Sequence, residues 1–189
     1  MIMKKMFHGS PYLFNSFSLD SAGDATGVKF GYGVYLTEVE ASAVHYSQPR
    51  NLDIMPNHYL YTVEVPSLVP GNHLVSARQV EPSIVERVEA KLGLLVPADV
   101  VGAGKEFRKW IGRHITGATK VGLREEKAAA EFLDSIGVHF SVWPTAQNKP
   151  DGPKNIVVFN ADNVTIVKRE HIEIEEKGKK WVLVSRKEI

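Results

Sequence analysis

The chain has 189 residues, enough for one domain with a substantial buried core. Hydrophobic residues make up 43% and charged residues 24%, close to the globular average, which excludes a fibrous repeat and a largely disordered chain. The formal net charge of +1 is too small to attract the chain as a whole to nucleic acid. The absence of cysteine excludes disulfides, thiolate zinc sites and cysteine nucleophiles.

Targeting and metal-binding patterns are missing from the sequence. Lys4 and Lys5 stand near the start, but the apolar run of a signal peptide does not follow them. No later stretch is apolar over the length that a membrane span requires. We therefore expect a cytoplasmic protein, or one delivered into a target cytoplasm, without a membrane partner. The histidines form no pair at ligand spacing beside a carboxylate, so no metal site is predicted.

Strand patterns dominate the two ends of the chain. A period of two in hydrophobicity, with turn residues between the runs, is typical of half-buried strands. Such strands are predicted over residues 3–8, 33–37, 58–65, 138–143, 156–159 and 163–167. A C-terminal hairpin is predicted to pair residues 172–175 with residues 181–184 across Lys177-Gly178.

Helical patterns dominate the middle of the chain. A short helix is predicted over residues 38–48, and a longer one begins at a capping box on Ser83 and ends near Gly93. Two more amphipathic helices are predicted over residues 105–115 and 124–136. The order of strands, helices and strands predicts one α+β domain over residues 1–189, with a mainly antiparallel sheet and a helical insertion at about residues 82–136.

The residues best suited to bind a ligand follow the first strand and flank the second. Gly9, directly after His8, lets a ligand approach the backbone, and the hydroxyl of Ser10 can bond a sugar. Tyr35 and Tyr46 are separated by one short helix and can flank a planar heterocycle. Each side chain also has an ordinary interpretation, as a core histidine or a core aromatic ring. These alternatives stay open on the residues alone.

Taken together, these motifs resemble the His-Tyr-Glu clade of the ADP-ribosyltransferase superfamily, of the diphtheria-toxin and poly-ADP-ribose-polymerase type. The pattern is most similar to transferase domains of phage polyvalent proteins and related toxins. It covers about the first 50 and the last 60 residues. The resemblance implies an ADP-ribosyltransferase-like fold with a split, mainly antiparallel β core, a helical insertion and a C-terminal hairpin.

The resemblance also implies that NAD is the substrate. It assigns His8 to the nicotinamide ribose, the Gly9 backbone to the nicotinamide amide, and Ser10 to the neighbourhood of the adenosine-side ribose. Tyr35 and Tyr46 would sandwich the nicotinamide ring. His8 and Tyr35 thereby become members of the catalytic set.

The third catalytic position departs from the family pattern. Asn155 stands where the family usually has a glutamate, and Ala43 stands where it often has a serine. An asparagine can hydrogen-bond the ribose 2′-hydroxyl but cannot take a proton. The loop at residues 144–154 occupies the place where these transferases recognise their targets. Glu38 and Asp151 are the carboxylates that we consider as replacements for the missing base.

We therefore expect an enzyme, a mono-ADP-ribosyltransferase that cleaves the nicotinamide–ribose bond. It would transfer ADP-ribose to a protein or nucleic acid, in the manner of a phage or bacterial toxin or effector. An NAD glycohydrolase and a catalytically inactive NAD-binding module remain alternatives because of Asn155. A nucleic-acid-binding protein is a more remote alternative. Basic residues that could bind phosphates cluster near the end of the chain, at Lys168-Arg169, Lys179-Lys180 and Arg186-Lys187, but glutamates are interleaved with them.

Overall fold

A computed structural model of the chain describes residues 2–20, 28–48, 57–146 and 148–189. These residues form eight strands and four helices. The strands are β1 (Met3–Ser10), β2 (Val34–Thr37), β3 (His58–Pro66), β4 (His73–Val75), β5 (Phe140–Pro144), β6 (Lys154–Val158), β7 (Thr165–Lys177) and β8 (Lys180–Glu188). The helices are α1 (Glu40–Tyr46), α2 (Pro82–Leu92), α3 (Gly104–Thr116) and α4 (Leu123–Ser135).

All eight strands belong to one sheet with the order β4-β5-β6-β2-β1-β3-β7-β8. Every neighbouring pair is antiparallel except β4 and β5, which are parallel. The three-helix segment α2–α4 lies between these two parallel strands in sequence, and a parallel connection requires such a crossover. The predicted α+β class with a mainly antiparallel sheet is confirmed.

Several predicted boundaries change in the structure. β1 continues to Ser10 because Gly9 and Ser10 still pair with β3, and it stops where Pro11 lacks an amide hydrogen. The strands predicted at 163–167 and 172–175 are parts of the single strand β7. β4 was not predicted, since three residues are too short to show a period.

The helical middle packs through apolar stripes as predicted. Its buried side chains include Ile84 of α2, Phe107 of α3 and Leu133 of α4, which share one core cluster with the sheet. The capping box predicted at Ser83 is wrong, because α2 begins at Pro82 and its N-cap is Glu81, two residues before the predicted cap. The predicted end at Gly93 is confirmed, and this glycine has the left-handed φ of 71° that closes a helix.

The helices cover one face of the sheet in two separate groups. α1 packs over β1 and β3, where Ala43 and Val44 meet Leu60. The α2–α4 group packs over the other end of the sheet, against residues such as Leu74 and Val157. β2 lies between the two groups. The opposite face is covered partly by the segment after β1, whose rings Phe14 and Phe17 pack on it.

None of the helices in the described residues is long and apolar enough to span a membrane.

Candidate functional site

The sheet is weakest at its centre, where β1 meets β2. Both strands lie entirely within the described residues, yet the only ladder pair that joins them is Phe7 with Thr37. By contrast, β1 is paired with β3 along its whole length, from Met3 to Ser10. The backbone of β1 after Phe7 therefore separates from β2 just where the predicted motif His8-Gly9-Ser10 begins.

The His8 side chain bridges this opening. Its Nδ1 lies 2.8 Å from the carbonyl oxygen of Tyr35, and since a carbonyl only accepts, Nδ1 carries the hydrogen. The ring is half-buried among Phe14, Phe17 and Tyr61, with Phe17 edge-on at 5.1 Å between ring centroids. Burial lowers the pKa of His8, and the hydrogen bond to Tyr35 offsets part of that effect. A neutral His8 with its hydrogen on Nδ1 leaves Nε2 as an acceptor.

Gly9 and Ser10 have structural roles that the sequence did not indicate. A Cβ on Gly9 would stand 1.7 Å from the carbonyl oxygen of Ala43, so α1 occupies the space beside its Cα. The close approach predicted for a ligand is made at this point by the helix backbone. Ser10 is buried, and its Oγ accepts a hydrogen bond of 3.0 Å from the amide of Tyr12.

Tyr35 shapes the segment that precedes its own strand. Its hydroxyl donates to the carbonyl of Gly31 at 2.9 Å and accepts from the amide of Phe30 at 3.4 Å. Burial raises the pKa of Tyr35, which keeps the hydroxyl protonated as a donor. Its ring meets Trp143 edge-on at 5.9 Å, and Trp143 stacks on Phe30 at 4.0 Å with an interplanar angle of 4°. These three partly exposed rings form what we call the aromatic wall: Phe30, Tyr35 and Trp143.

The second predicted ring, Tyr46, lies at the C-terminal end of α1. Its side chain is 67% exposed, and the ring that it contacts in the described residues is His45. The structure thus places Tyr35, but not Tyr46, as a partly buried ring beside the opening, and the sequence analysis missed Trp143 as the neighbour of Tyr35. The signal for Trp143 was weak: a tryptophan at the end of a strand, directly before the proline-rich loop.

Asn155 lies opposite Thr37 on β2 and opposite Trp143 on β5. Residues two apart on a strand share a face, so Asn155 is on the same face as Val157, which pairs with Tyr35. The structure thus brings Asn155, Tyr35 and Trp143 to one side of the sheet. His8 pairs with Tyr61 and belongs to the opposite side, reaching Tyr35 only through its backbone carbonyl.

Both carboxylates considered as replacement bases have other partners. Glu38 forms an ion pair with Lys4 and accepts a hydrogen bond from the amide of Lys154. Asp151 pairs with Arg78 at 3.0 Å on an exposed loop. In the part of the chain that the structure describes, no hydrogen bond or ion pair joins either carboxylate to Asn155.

A buried ion pair was missed by the sequence analysis. Arg108 of α3 is 0% exposed, and its Nε donates to Glu126 of α4 at 2.6 Å. The signal was present: Arg108 is three residues before Ile111, and Glu126 is three residues before Ala129, so both charges fall on apolar stripes. A charge on a buried stripe requires a partner, and each residue supplies the other's.

An open hollow of about 600 Å³ lies apart from these residues, between α4 and the segment before β2. Its lining includes Tyr32, Arg124, Lys127 and Glu131 but none of the predicted site residues. Because the lining carries both signs of charge, it favours no class of ligand. Likewise, no group of three or more potential metal ligands occurs among residues 2–20, 28–48, 57–146 and 148–189.

Comparisons of the chain with protein-family models, with curated proteins and with solved structures find no match. The fold and the site define an α+β protein with an incompletely paired central strand junction and an aromatic wall beside it.

Proposed function

We propose that the protein is an NAD-dependent mono-ADP-ribosyltransferase with an ADP-ribosyltransferase-like fold. The single observation that carries the proposal is the opening between β1 and β2, bridged by the hydrogen bond from His8 to Tyr35. The residues that resemble the family's first motif stand on β1, and the strand part of the second motif, with Tyr35, stands on β2, so both border this opening. A structural protein gains nothing from leaving the centre of its sheet unpaired, since each missing ladder bond has to be satisfied otherwise.

The chemistry required of the site is glycosidic. The bond between the nicotinamide nitrogen and the ribose C1′ breaks, nicotinamide leaves with the bonding electrons, and the ribose acquires oxocarbenium character. The acceptor then forms a bond to C1′ and loses its proton to a base or to water. His8, neutral and with a free lone pair on Nε2, can accept a hydrogen bond from a ribose hydroxyl. The aromatic wall lies on the side of the sheet opposite to the His8 ring, so one NAD would reach both through the opening between β1 and β2, with the wall offering flat apolar surface to the leaving ring.

Asn155 decides how far the reaction goes. Its amide can hold a ribose hydroxyl but cannot deprotonate an acceptor, and loss of a general base typically costs about 10²- to 10⁴-fold in rate. The nearest alternatives that we considered, Glu38 and Asp151, are both engaged in ion pairs. This observation favours a second candidate function, NAD binding with slow hydrolysis or without turnover.

The transferase is tested by incubating the purified protein with labelled NAD and cell lysate. Free nicotinamide and labelled macromolecules are scored separately. We expect both to appear, and both to be lost in His8→Ala and Tyr35→Ala. His114→Ala, on the surface of α3, serves as the matched histidine control and should behave as the wild type.

The outcomes separate the candidate functions. Nicotinamide release without labelling of a macromolecule identifies a glycohydrolase. NAD binding without release identifies an inactive binding module. Absence of NAD binding by calorimetry contradicts the whole proposal. A labelled protein, as distinct from labelled nucleic acid, identifies the acceptor class and supports the toxin or effector role that the resemblance implies.

The nucleic-acid-binding alternative rests on the basic residues near the end of the chain, and part of this positive charge is neutralised within the protein. Three basic residues of the C-terminal hairpin are paired with acids: Lys168 with Glu170 at 2.8 Å, Lys177 with Glu175 at 2.6 Å, and Arg186 with Glu40 at 2.6 Å. Pairing reduces the positive potential that phosphates need. Affinity for nucleic acid that falls steeply with added salt would support this alternative.

A further inference from the structure

We propose that Arg108, in the helical middle of the chain, is a positioning residue for the NAD site. It holds residues 28–33 in the conformation that places the aromatic wall beside the opening between β1 and β2. This inference rests on the proposed function as far as NAD is concerned. We call the contacts involved the arginine clamp, formed by the side chains of Arg108, Glu126 and Ser141 and the carbonyl of Lys29.

The first part of the clamp fixes the guanidinium itself. Arg108 donates to Glu126 through both Nε, at 2.6 Å, and Nη2, at 3.2 Å. Nη1 donates to the Oγ of Ser141 on β5 at 3.2 Å. Two bonds to one carboxylate and a third to a strand side chain fix the plane of the guanidinium. Arg108 thereby connects α3, α4 and the sheet.

The second part of the clamp reaches the segment before β2. Nη2 also points to the carbonyl oxygen of Lys29 at 3.5 Å, at the long end of hydrogen bonding. The segment lies directly on the guanidinium, because a Cβ on Gly31 would be 3.4 Å from Nε and 3.5 Å from Cδ of Arg108. Gly31 has a φ of 124°, and because glycine adopts many backbone conformations readily, the contacts around it select this one.

The segment in turn determines the aromatic wall. The carbonyl of Gly31 accepts the hydroxyl of Tyr35, and the amide of Phe30 donates to the same hydroxyl. Phe30 then stacks on Trp143. The path from Arg108 to the wall therefore runs through adjacent contacts only. The electrostatics agree with this path, because the Arg108 charge lowers and the Glu126 charge raises the pKa of Tyr35, both less than burial raises it.

Stability alone is a poor reason for such a pair. Removing two charges from water is costly, and replacing a buried ion pair by apolar residues of similar volume is often neutral or stabilising. Leucine and methionine on these two helix stripes would pack with neighbours such as Phe107 and Ala129, which are already buried there. What an apolar pair cannot supply is a hydrogen-bond donor for the carbonyl of Lys29.

The test is a variant that removes the clamp but keeps an apolar core: Arg108→Met with Glu126→Leu and Ser141→Ala. Its matched control is Glu106→Leu with Lys109→Met, which removes a partly exposed ion pair from the same helix. Three quantities are measured: the melting temperature, the NAD dissociation constant by calorimetry, and the hydrogen exchange of the Phe30 and Gly31 amides by NMR.

We expect the clamp variant to keep a cooperative thermal transition, to exchange the Phe30 and Gly31 amides faster, and to bind NAD roughly ten- to hundredfold more weakly. The control should match the wild type in NAD affinity and exchange. With a wild type that binds NAD, unchanged NAD affinity in a folded clamp variant would overturn the inference. If the clamp variant does not fold, Arg108→Lys replaces it, because lysine keeps the charge beside Glu126 but lacks the planar donor set. Arg108→Lys is expected to show the same weakening and is judged by the same criterion.

Failure of the proposed function is distinguishable from failure of this inference. If the wild type binds no NAD, the proposed function falls, and the clamp is judged on the exchange of Phe30 and Gly31 alone. If the wild type binds NAD and the clamp variant binds it equally well, the function stands and the clamp falls.

Discussion

The Nδ1–H of His8 donates to the carbonyl oxygen of Tyr35 across the place where β1 and β2 separate. A side chain here takes the position that a backbone amide would take in a continuous ladder. Because this hydrogen bond requires only the Nδ1 hydrogen, it forms with the neutral ring as well as with the charged one. The buried surroundings of the ring favour the neutral form.

Stability should therefore depend on pH through His8. Its pKa in the folded protein is lowered from 6.5, so the unfolded chain binds more protons in the window below that value. The free energy of unfolding should rise with pH through this window and level off above about 6.5. In His8→Asn, which keeps a donor but does not titrate, this component should be missing. Urea denaturation of both proteins between about pH 5 and 8 measures the difference; a difference independent of pH would contradict the prediction.

Gly9→Ala should destabilise the fold through α1. The new methyl group would overlap the carbonyl oxygen of Ala43, an atom of the helix backbone that cannot rotate away. We expect a loss of about 3 kcal/mol or more in the free energy of unfolding. Gly102→Ala is the control, because a Cβ there meets nothing within 4 Å, and it should change stability by less than about 0.5 kcal/mol. Equal stability of the two variants would show that α1 can move aside.

Tyr35→Phe should cost about 1 kcal/mol of stability, since it removes the hydroxyl that joins Phe30 and Gly31. Tyr12→Phe, at a ring that is 64% exposed, provides the comparison and should be neutral. Chemical denaturation gives both values. The Tyr35 variant should also loosen the stack of Phe30 on Trp143, seen as a change in tryptophan fluorescence. If neither the free energy of unfolding nor the tryptophan fluorescence changes, the Tyr35 hydroxyl does not hold the aromatic wall in place.

Asn155→Glu should raise the rate of nicotinamide release by at least about tenfold, because it supplies a carboxylate on the face that carries Tyr35 and Trp143. Asn148→Glu, on the exposed loop, adds the same charge elsewhere and should leave the rate unchanged. Release is followed with NAD labelled in the nicotinamide ring. Equal rates of nicotinamide release in the wild type and in Asn155→Glu would show that position 155 is not where the family's catalytic glutamate would act.

Much of the fold could be predicted from the sequence because its strands and helices have clear periods. The hairpin from β7 to β8 pairs Glu176 with Trp181 as the turn at Gly178 suggests. The unity of β7 was hidden by the charged run around Glu170, which reads as a break between strands. In the structure, Glu170 is 2% exposed and neutralised by Lys168 and Arg186, so the strand continues through it.

The candidate site was predicted less completely, because some of its residues contact partners that are far away in sequence. His8, Tyr35 and Asn155 stand on strands whose pairing the sequence motifs indicate. Trp143 and Arg108 join them only through tertiary contacts with partners far away in sequence. A residue type alone does not reveal such a partner. A charge on a buried helical stripe does indicate that a partner for it exists.

The single pair of Phe7 and Thr37 divides the sheet into two sets of four strands, yet neither set is continuous in sequence. The chain passes from one set to the other after β1, β2, β3 and β6. The strands of each half are thus separated in sequence by strands of the other, so we expect the two halves to fold in one cooperative event. Cutting the chain at any loop between β2 and β6 would leave each fragment with strands from both halves, so two such fragments should regain structure only by reassociating.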